Sequence, residues 1–540
     1  MKKRFTMLPI AVISIAALVT ACSNGTEGTS GTSGSSSPTP TATVNKEPAS
    51  FTILNNDGGE AYAKTAQKDD QIYTQMSKLF SDYIGAPTTI NYEFLPATGY
   101  SEQLTVRFAS KDVPQVIATG SIMDKGHPTA VENGIFVDLT AMIDKYGTNL
   151  KKNIPDFVWQ NPKVSQNGKI YAIPKLLTPT ETRGFIVRKD WLDKLGMKPP
   201  ETLDDYLAFF EAVKTKDPNG NGQADEVGFV ARSDFGNSQV FFAAFGLYTG
   251  SVQGAGGTAW QFVNNQFIPD IINPKMKDAI AFYKKLYDNG YMNRDWVTAK
   301  AADMTKMIQD DKVAFWNLDI RQLGSYAPSA FASKKGVIDV LPGFKDSKGE
   351  FFMGFKGLPI AKVHAVISGT KNPERFVQFM DWTYSNDQKK NDFFAFGIKD
   401  RNYTGEGAAA VWDGNSDMNK KEKTFIQTMI NPAGDSRMDD RVVKLGGTID
   451  PNVLKKATDY ALNNTKNDPG INMPVPEVMA TTPELGAGTG TLFMDAFTKI
   501  VTGKDDLNTG WDKYVADWKK RGGDAVIKEA TEWYNKNNKK

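Results

Sequence analysis

The chain has 540 residues, 40% of them apolar and 23% charged, which is too much for one ordinary core and predicts two or three. Its 64 basic residues nearly match its 62 acidic ones, without the basic excess of a nucleic-acid binder. One cysteine excludes a disulfide framework and a cysteine-built zinc site, and two histidines (His127 and His364) exclude a three-histidine metal site, while paired-carboxylate chemistry stays open.

Lys2, Lys3 and Arg4 precede a mostly apolar run of 13 residues, Met7 to Val19. A spanning helix needs about 20 apolar residues, so residues 1–21 read as a secretory signal. The run ends in Val19-Thr20-Ala21-Cys22, which resembles the bacterial lipobox. That motif implies cleavage before Cys22 and attachment of a diacylglycerol to its thiol. The alternative is an ordinary signal peptide with a chance cysteine. Each buried CH2 of an acyl chain contributes about 0.8 kcal/mol, so two or three chains would anchor the protein firmly.

Residues 22–49 are dominated by Ser, Thr, Gly and Pro, a composition that cannot bury enough surface to offset chain entropy, and are expected to form a disordered tether. Cleavage before Cys22 removes three positive charges and no acid, leaving 61 basic against 62 acidic residues. The expected mature form is a globular body on a lipid-anchored leash at the extracellular face of the cell membrane. A Gram-positive surface suits so long a leash better than a periplasm.

The body opens with a strand at residues 51–54 that runs into Asn55-Asn56-Asp57-Gly58-Gly59. Polar, glycine-rich turns at strand ends are where α/β proteins commonly place binding groups. A helix over 69–84, a strand over 90–95, a helix over 100–109 and a buried strand over 113–118 follow. The last ends at Thr119-Gly120-Ser121. This alternation predicts an open α/β sheet. Strands are then expected at Ile170–Ile173 and 184–188. Thr202 and Asp205 form a capping-box pattern opening a helix. Helices over 275–289 and 373–386 follow. The chain ends in two amphipathic helices, one carrying Trp511, Tyr514, Val515 and Trp518, the other Val526, Ile527, Ala530, Trp533 and Tyr534. These stripes, with Trp191 and Trp382, read as core.

Asp217-Pro218-Asn219-Gly220-Asn221-Gly222-Gln223-Ala224-Asp225-Glu226 is the sharpest chemical motif. It puts oxygen side chains at positions 1, 3, 5 and 9 of an EF-hand-like loop, glycine at 6 and the Gln223 carbonyl at 7. Gly228 stands where a bidentate Glu is expected, and Glu226 could supply that carboxylate. A strand follows instead of a second helix, so the site would be a static calcium brace. The alternative is an Asx-rich turn without metal. Asp413, Asn415, Asp417 and Asn419 alternate similarly but have Met418 at position 6, and read as a solvated loop.

Taken together, the lipobox, Gly168-Lys169-Ile170-Tyr171-Ala172-Ile173-Pro174, Arg188 to Gly196, Pro199 to Asp205 and the ending from Gly510 to Tyr534 resemble the extracellular solute-binding lipoproteins of ABC importers. The similarity is to the long sugar-binding type, which includes alginate-binding proteins and LplA-like lipoproteins. It covers essentially the whole chain after the tether. The resemblance implies an α/β fold of two lobes with type II topology, a hinge and a central ligand cleft. It places the N-terminal lobe at 50–173 and 353–397 and the C-terminal lobe at 174–352 and 398–540. It also implies calcium in the truncated loop, a monomer without catalytic residues, an oligosaccharide ligand, and membrane permease subunits as partners.

Sugar recognition needs aromatic faces for C–H surfaces and planar polar side chains for hydroxyls. Trp316, Asn317 and Asp319, at the end of the strand 313–319, are the first candidates, since the comparable segment of sugar-binding relatives delivers an aromatic ring to the cleft. For Trp316, core packing is the competing reading. Asp57 and Asn55, Thr119 and Asp124, and Glu181 and Arg183 are further candidates at strand ends and after the hinge. A secreted carbohydrate-active enzyme and a receptor for another solute, such as a peptide, remain as alternatives.

Overall fold

The computed structural model describes residues 45–66, 70–177, 180–250, 254–406, 409–414, 416–433 and 449–538. The signal, Cys22 and most of the tether lie outside them. Nine strands matter for the site: β1 (Ala49–Asn56), β2 (Thr88–Leu95), β3 (Val116–Thr119), β4 (Ala172–Leu176), β5 (Arg183–Arg188), β6 (Val227–Phe229), β7 (Val313–Asp319), β8 (Ile338–Leu341) and β9 (Ile360–Val366).

They form two sheets. The first has the order β2-β1-β3-β9-β4. β1 is parallel to β2 and β3, whereas β9 runs antiparallel to both β3 and β4 and pairs His364 with Ala118 and Ile173. The second sheet has the order β8-β5-β7-β6. Here β7 is antiparallel to β5, with Asp319 opposite Arg183, and parallel to β6. Strand β9 thus returns to the first sheet after the chain has built the second, as the expected two-lobe topology requires.

Local signals explain the elements around the sheets. The Asp70 side chain accepts from the Ile72 N–H and caps the helix Gln71–Ile84, which ends at Gly85 with φ +63°. Its buried residues, Ile72, Tyr73, Met76, Phe80 and Ile84, keep helical spacing. Thr202 and Asp205 complete the capping box: Thr202 N donates to Asp205 Oδ2 at 2.9 Å, and Asp205 N to Thr202 Oγ1 at 3.2 Å. The helices Leu507–Trp518 and Asp524–Asn537 bury Trp511, Tyr514, Trp518, Val526, Ile527 and Ala530. Trp191 and Trp382 are buried too.

Apolar side chains gather into separate cores. One joins residues of 51–176 to Val363, Phe376, Phe379, Phe425, Ile426 and Ile430. Another joins Phe185, Tyr206, Phe241 and Phe315 to Phe355, Phe497 and Trp518. A third packs Ile186, Trp316 and Tyr326 against Leu454 and Ala457 on the far face of the second sheet. The chain therefore leaves the first sheet between Leu176 and Arg183 and returns between Phe355 and Ile360. Past the expected boundary between 397 and 398, Phe425, Ile426 and Ile430 still belong to the first core, whereas Ile449, Val453 and Leu454 pack on the other side. The segment 413–419 is also not a solvated loop. Ser416 caps the helix Asp417–Thr424, and buried Asn419 donates to the carbonyls of Asn402 and Asp413; Asn415 lies outside the described residues.

Candidate ligand cleft and metal loop

The crossings between the sheets border a cavity of about 250 Å³. Leu177, Gly357 and Leu358 come from the crossings, Glu181 and Arg183 from the start of β5, and Asn317 and Asp319 from the end of β7. A larger hollow of about 690 Å³, bounded by Phe245, Gln261, Phe352 and Lys466, involves only the second side of the molecule. The smaller cavity is the candidate site, because hinge segments and strand ends converge there.

Four expected residues meet in it. Glu181 Oε1 accepts from the N–H groups of Thr182 and Arg183, both at 3.0 Å. Arg183 is buried, donates from Nε to Tyr248 Oη at 2.7 Å and from Nη2 to the Phe355 carbonyl at 3.1 Å, and stands 3.9 Å from Glu181. Burial disfavours its charge, but Glu181 and Tyr248 outweigh that and hold its pKa above the usual arginine value. Gly354 makes the close approach possible. Its φ is +125°, and a Cβ there would stand 2.6 Å from the Tyr248 ring. Asp319 Oδ1 accepts from Arg321 Nε at 2.9 Å.

Asn317 is 4% exposed, and its Oδ1 has no hydrogen-bond partner among the described residues. The same holds for Oε1 of Gln239, which lines the same cavity. Two buried amide oxygens without a donor are costly unless something in the cavity donates to them.

Trp316 is not part of the site. Side chains alternate along a strand, so with Asn317 facing the cavity Trp316 faces the other way. It is fully buried in the third core, with its ring 5.4 Å from that of Tyr326. Asn55, Asp57, Thr119 and Asp124 lie at the ends of first-sheet strands and in the following turns, outside the cavity lining, and each has a local partner. Asn55 Nδ2 donates to the Met429 carbonyl at 3.0 Å. Asp57 Oδ1 accepts from Gly59 N and Ala97 N, both at 2.9 Å. Thr119 Oγ1 is 3.0 Å from His127 Nε2, and Asp124 Oδ1 accepts from Gly126 N at 2.9 Å. Asn237, Gln239 and Tyr248 also line the cavity without having been expected. Asn237 and Gln239 precede a run of apolar residues, and Tyr248 resembles any core tyrosine.

The acidic loop folds on itself as its spacing requires. Asp217 accepts from the backbone of Gly220, Asn221 and Gly222, and Asn219 Oδ1 from Asn221 N at 2.8 Å. Glu226 is buried, and its Oε2 lacks a partner among the described residues. Burial pushes its carboxyl pKa up, with Asp217 nearby adding to the effect. That orphaned oxygen beside Asp217 suits a hard cation. Asp225 instead pairs with Lys312 at 2.9 Å, so among the described residues no three acidic, His or Cys side chains converge as a metal site. Asn219, Asn221 and the Gln223 carbonyl would have to supply the rest.

Residues 72–390 match the family model described as bacterial extracellular solute-binding protein. The chain belongs to that family. As an extracellular solute-binding protein it is 26% identical over 478 residues to "Lipoprotein LipO" of Bacillus subtilis, covering 85% of this chain and 88% of that one. It is 25% identical over 448 residues to the "Polygalacturonan/rhamnogalacturonan-binding protein YtcQ" of the same species, covering 82% and 85%. Alginate-binding protein AlgQ2, solved without calcium ion, superposes with a TM-score of 0.59 at 20% identity, covering 91% of this chain and 99% of that one. An EF-hand mutant of the Streptococcus pneumoniae substrate-binding protein FusA, in complex with fructo-nystose, superposes with a TM-score of 0.60 at 18% identity, covering 90% and 99%. These structures share the two-lobe fold. The solute-binding family is one of binding proteins, not catalysts, and among the described residues no helix is long and apolar enough to cross a membrane.

Proposed function

We propose that this solute-binding protein captures an oligosaccharide in the cavity beside the crossings and delivers it to the permease of an ABC importer. The observation that carries the reading is the pair of orphaned amide oxygens, Asn317 Oδ1 and Gln239 Oε1, in one cavity. Sugar hydroxyls are donors that fit them. Glu181 and Asp319 add acceptors, Arg321 and Thr180 add donors, and Leu177 and Leu358 supply apolar surface for C–H faces. Relatives named for melibiose, raffinose and stachyose and for fructooligosaccharides support the ligand class.

In this reading the N-terminal lobe comprises 50–176 and 358–433, and the C-terminal lobe 183–355 and 449–538. Closure of the two lobes buries the ligand and presents both of them to the permease. Asp217, Asn219, Asn221, Glu226 and the Gln223 carbonyl hold a calcium ion, which supplies only a structural brace. Asp225 serves as the counter-charge of Lys312. Cys22 carries the lipid that keeps the monomer at the outer face of the membrane. Thermal melting of the mature chain against a panel of oligosaccharides tests the reading. A ligand at 100 times its Kd stabilises by about 2.7 kcal/mol, and the sugar should be recovered uncut. A sugar recovered cleaved would favour an enzyme, and a shift with peptides alone would favour a peptide receptor.

A further inference from the structure

The side chain of Asn472 is used entirely across the boundary between the lobes. Its Nδ2 donates to the Phe157 carbonyl at 2.9 Å, and its Oδ1 accepts from Asn161 Nδ2 at 2.8 Å. Among the described residues it makes no hydrogen bond to its own lobe. Phe157, Val158 and Val164 pack in or against the first core, whereas Met473 belongs to the core that holds Trp260 and Phe355. The two bonds therefore join the lobes directly, beyond the crossings.

Each side of the contact is held in shape by its own lobe. On the first lobe Asn161 is buried. Its N–H donates to the Val158 carbonyl at 3.1 Å, its Oδ1 also accepts from Lys163 N at 3.0 Å, and its carbonyl accepts from Val164 N at 2.9 Å. On the second lobe, Thr465–Lys466 pairs with Gly354–Phe355, just before the second crossing. The chain then turns at buried Asp468, whose Oδ1 accepts from Trp260 N at 3.2 Å and from Gly470 N at 2.8 Å. Met473 N closes the turn by donating to the Gly470 carbonyl at 2.9 Å. Amides held in this way lose little freedom when they pair. One short segment thus carries both the strand at the crossing and Asn472, so a movement at the crossing is passed to the contact.

Resting on the two-lobe oligosaccharide reading above, we infer that Asn161 and Asn472 form a latch. Opening the lobes breaks both bonds and closing makes them, so the pair biases the protein toward its closed form and slows release of a bound oligosaccharide. In the open form both amides return to water, which limits the gain. Two such bonds shift the ratio of closed to open molecules about five- to tenfold. Neither residue lines the cavity, so the latch governs how long a sugar stays and not which sugar fits.

Small-angle X-ray scattering of the mature chain without ligand, and stopped-flow binding of raffinose, stachyose and kestose, test this. Asn472→Ala should enlarge the ligand-free radius of gyration. It should also raise the dissociation rate about five- to tenfold and leave the association rate within twofold. Asn472→Asp keeps the acceptor for Asn161 and loses the donor to Phe157, so it should fall between Asn472→Ala and the parent. The Asn472 side chain is half-buried and has no hydrogen bond in its own lobe among the described residues, so both variants will fold. Scattering of Asn472→Ala that superposes on that of the parent, an unchanged dissociation rate, or affinity lost through slower association each overturns the latch and leaves the oligosaccharide reading standing. Failure of all three sugars to bind counts against the oligosaccharide reading, and the ligand-free scattering then decides the latch by itself.

Discussion

The guanidinium of Arg183 lies 3.9 Å from the centre of the Tyr248 ring and donates to its hydroxyl at 2.7 Å. The same group reaches the carbonyls of Met353 and Phe355, just before the chain returns to the first sheet. One buried cation thus ties the start of β5 to the segment leading into the second crossing. Arg183→Met removes the buried cation beside Glu181 and the donor to the Tyr248 hydroxyl, and should cost about 3–5 kcal/mol in denaturant unfolding. Tyr248→Phe removes one acceptor and should cost about 1–3 kcal/mol. An Arg183→Met variant within 1 kcal/mol of the parent would show that the network does not hold the crossing.

Trp316 supplies packing, not ligand contact. Trp316→Ala should lose about 3–5 kcal/mol of stability through the cavity it opens. Trp316→Phe should fold and keep ligand affinity within twofold. A tenfold loss of affinity in the folded Phe variant would return this residue to the site.

Asp468 is buried, and burial raises its carboxyl to about 6. Its Oδ1 accepts from Trp260 N and Gly470 N. The folded state therefore binds more protons than the unfolded state between about pH 4 and 6. That contribution is fully present below the unfolded carboxyl value and is lost as pH rises through about 6, a fall of about 3 kcal/mol. Asp270, also buried and raised, has the same sign. Urea unfolding from pH 4 to 7 should show the decline, and Asp468→Asn should remove most of it.

Calcium should raise the Tm of the metal-stripped chain, and chelator should reverse the rise. Asp217→Ala should abolish the response while leaving ligand affinity nearly unchanged, since the loop is remote in sequence and lining from the cavity. A calcium response intact in Asp217→Ala would place the ion elsewhere.

Much of the fold was legible because its signals are local. The Thr202–Asp205 box, the apolar spacing after Asp70 and the four buried residues of β3 each specify an element without reference to distant parts of the chain. The end of the first core past residue 397 was not legible. The aromatic and aliphatic residues near 425–430 read as apolar whichever core they join, and only packing assigns them to the first. The site divided in the same way. Glu181, Arg183, Asn317 and Asp319 sit at strand ends, which the sequence marks. Gln239 and Tyr248 reach the cavity through tertiary packing, and Trp316 misled because an aromatic beside two polar residues resembles a sugar platform until the strand's alternation turns it inward.

The most direct test of the central claim is calorimetric titration of the parent and the Asn317→Ala variant with the oligosaccharide that most raises the Tm. Because the Asn317 amide oxygen is buried without a partner, removing it should leave stability unchanged or slightly raised. Ligand affinity should fall at least tenfold, about 1.4 kcal/mol or more. Undiminished affinity in a folded Asn317→Ala chain would contradict the assignment of this cavity as the sugar site.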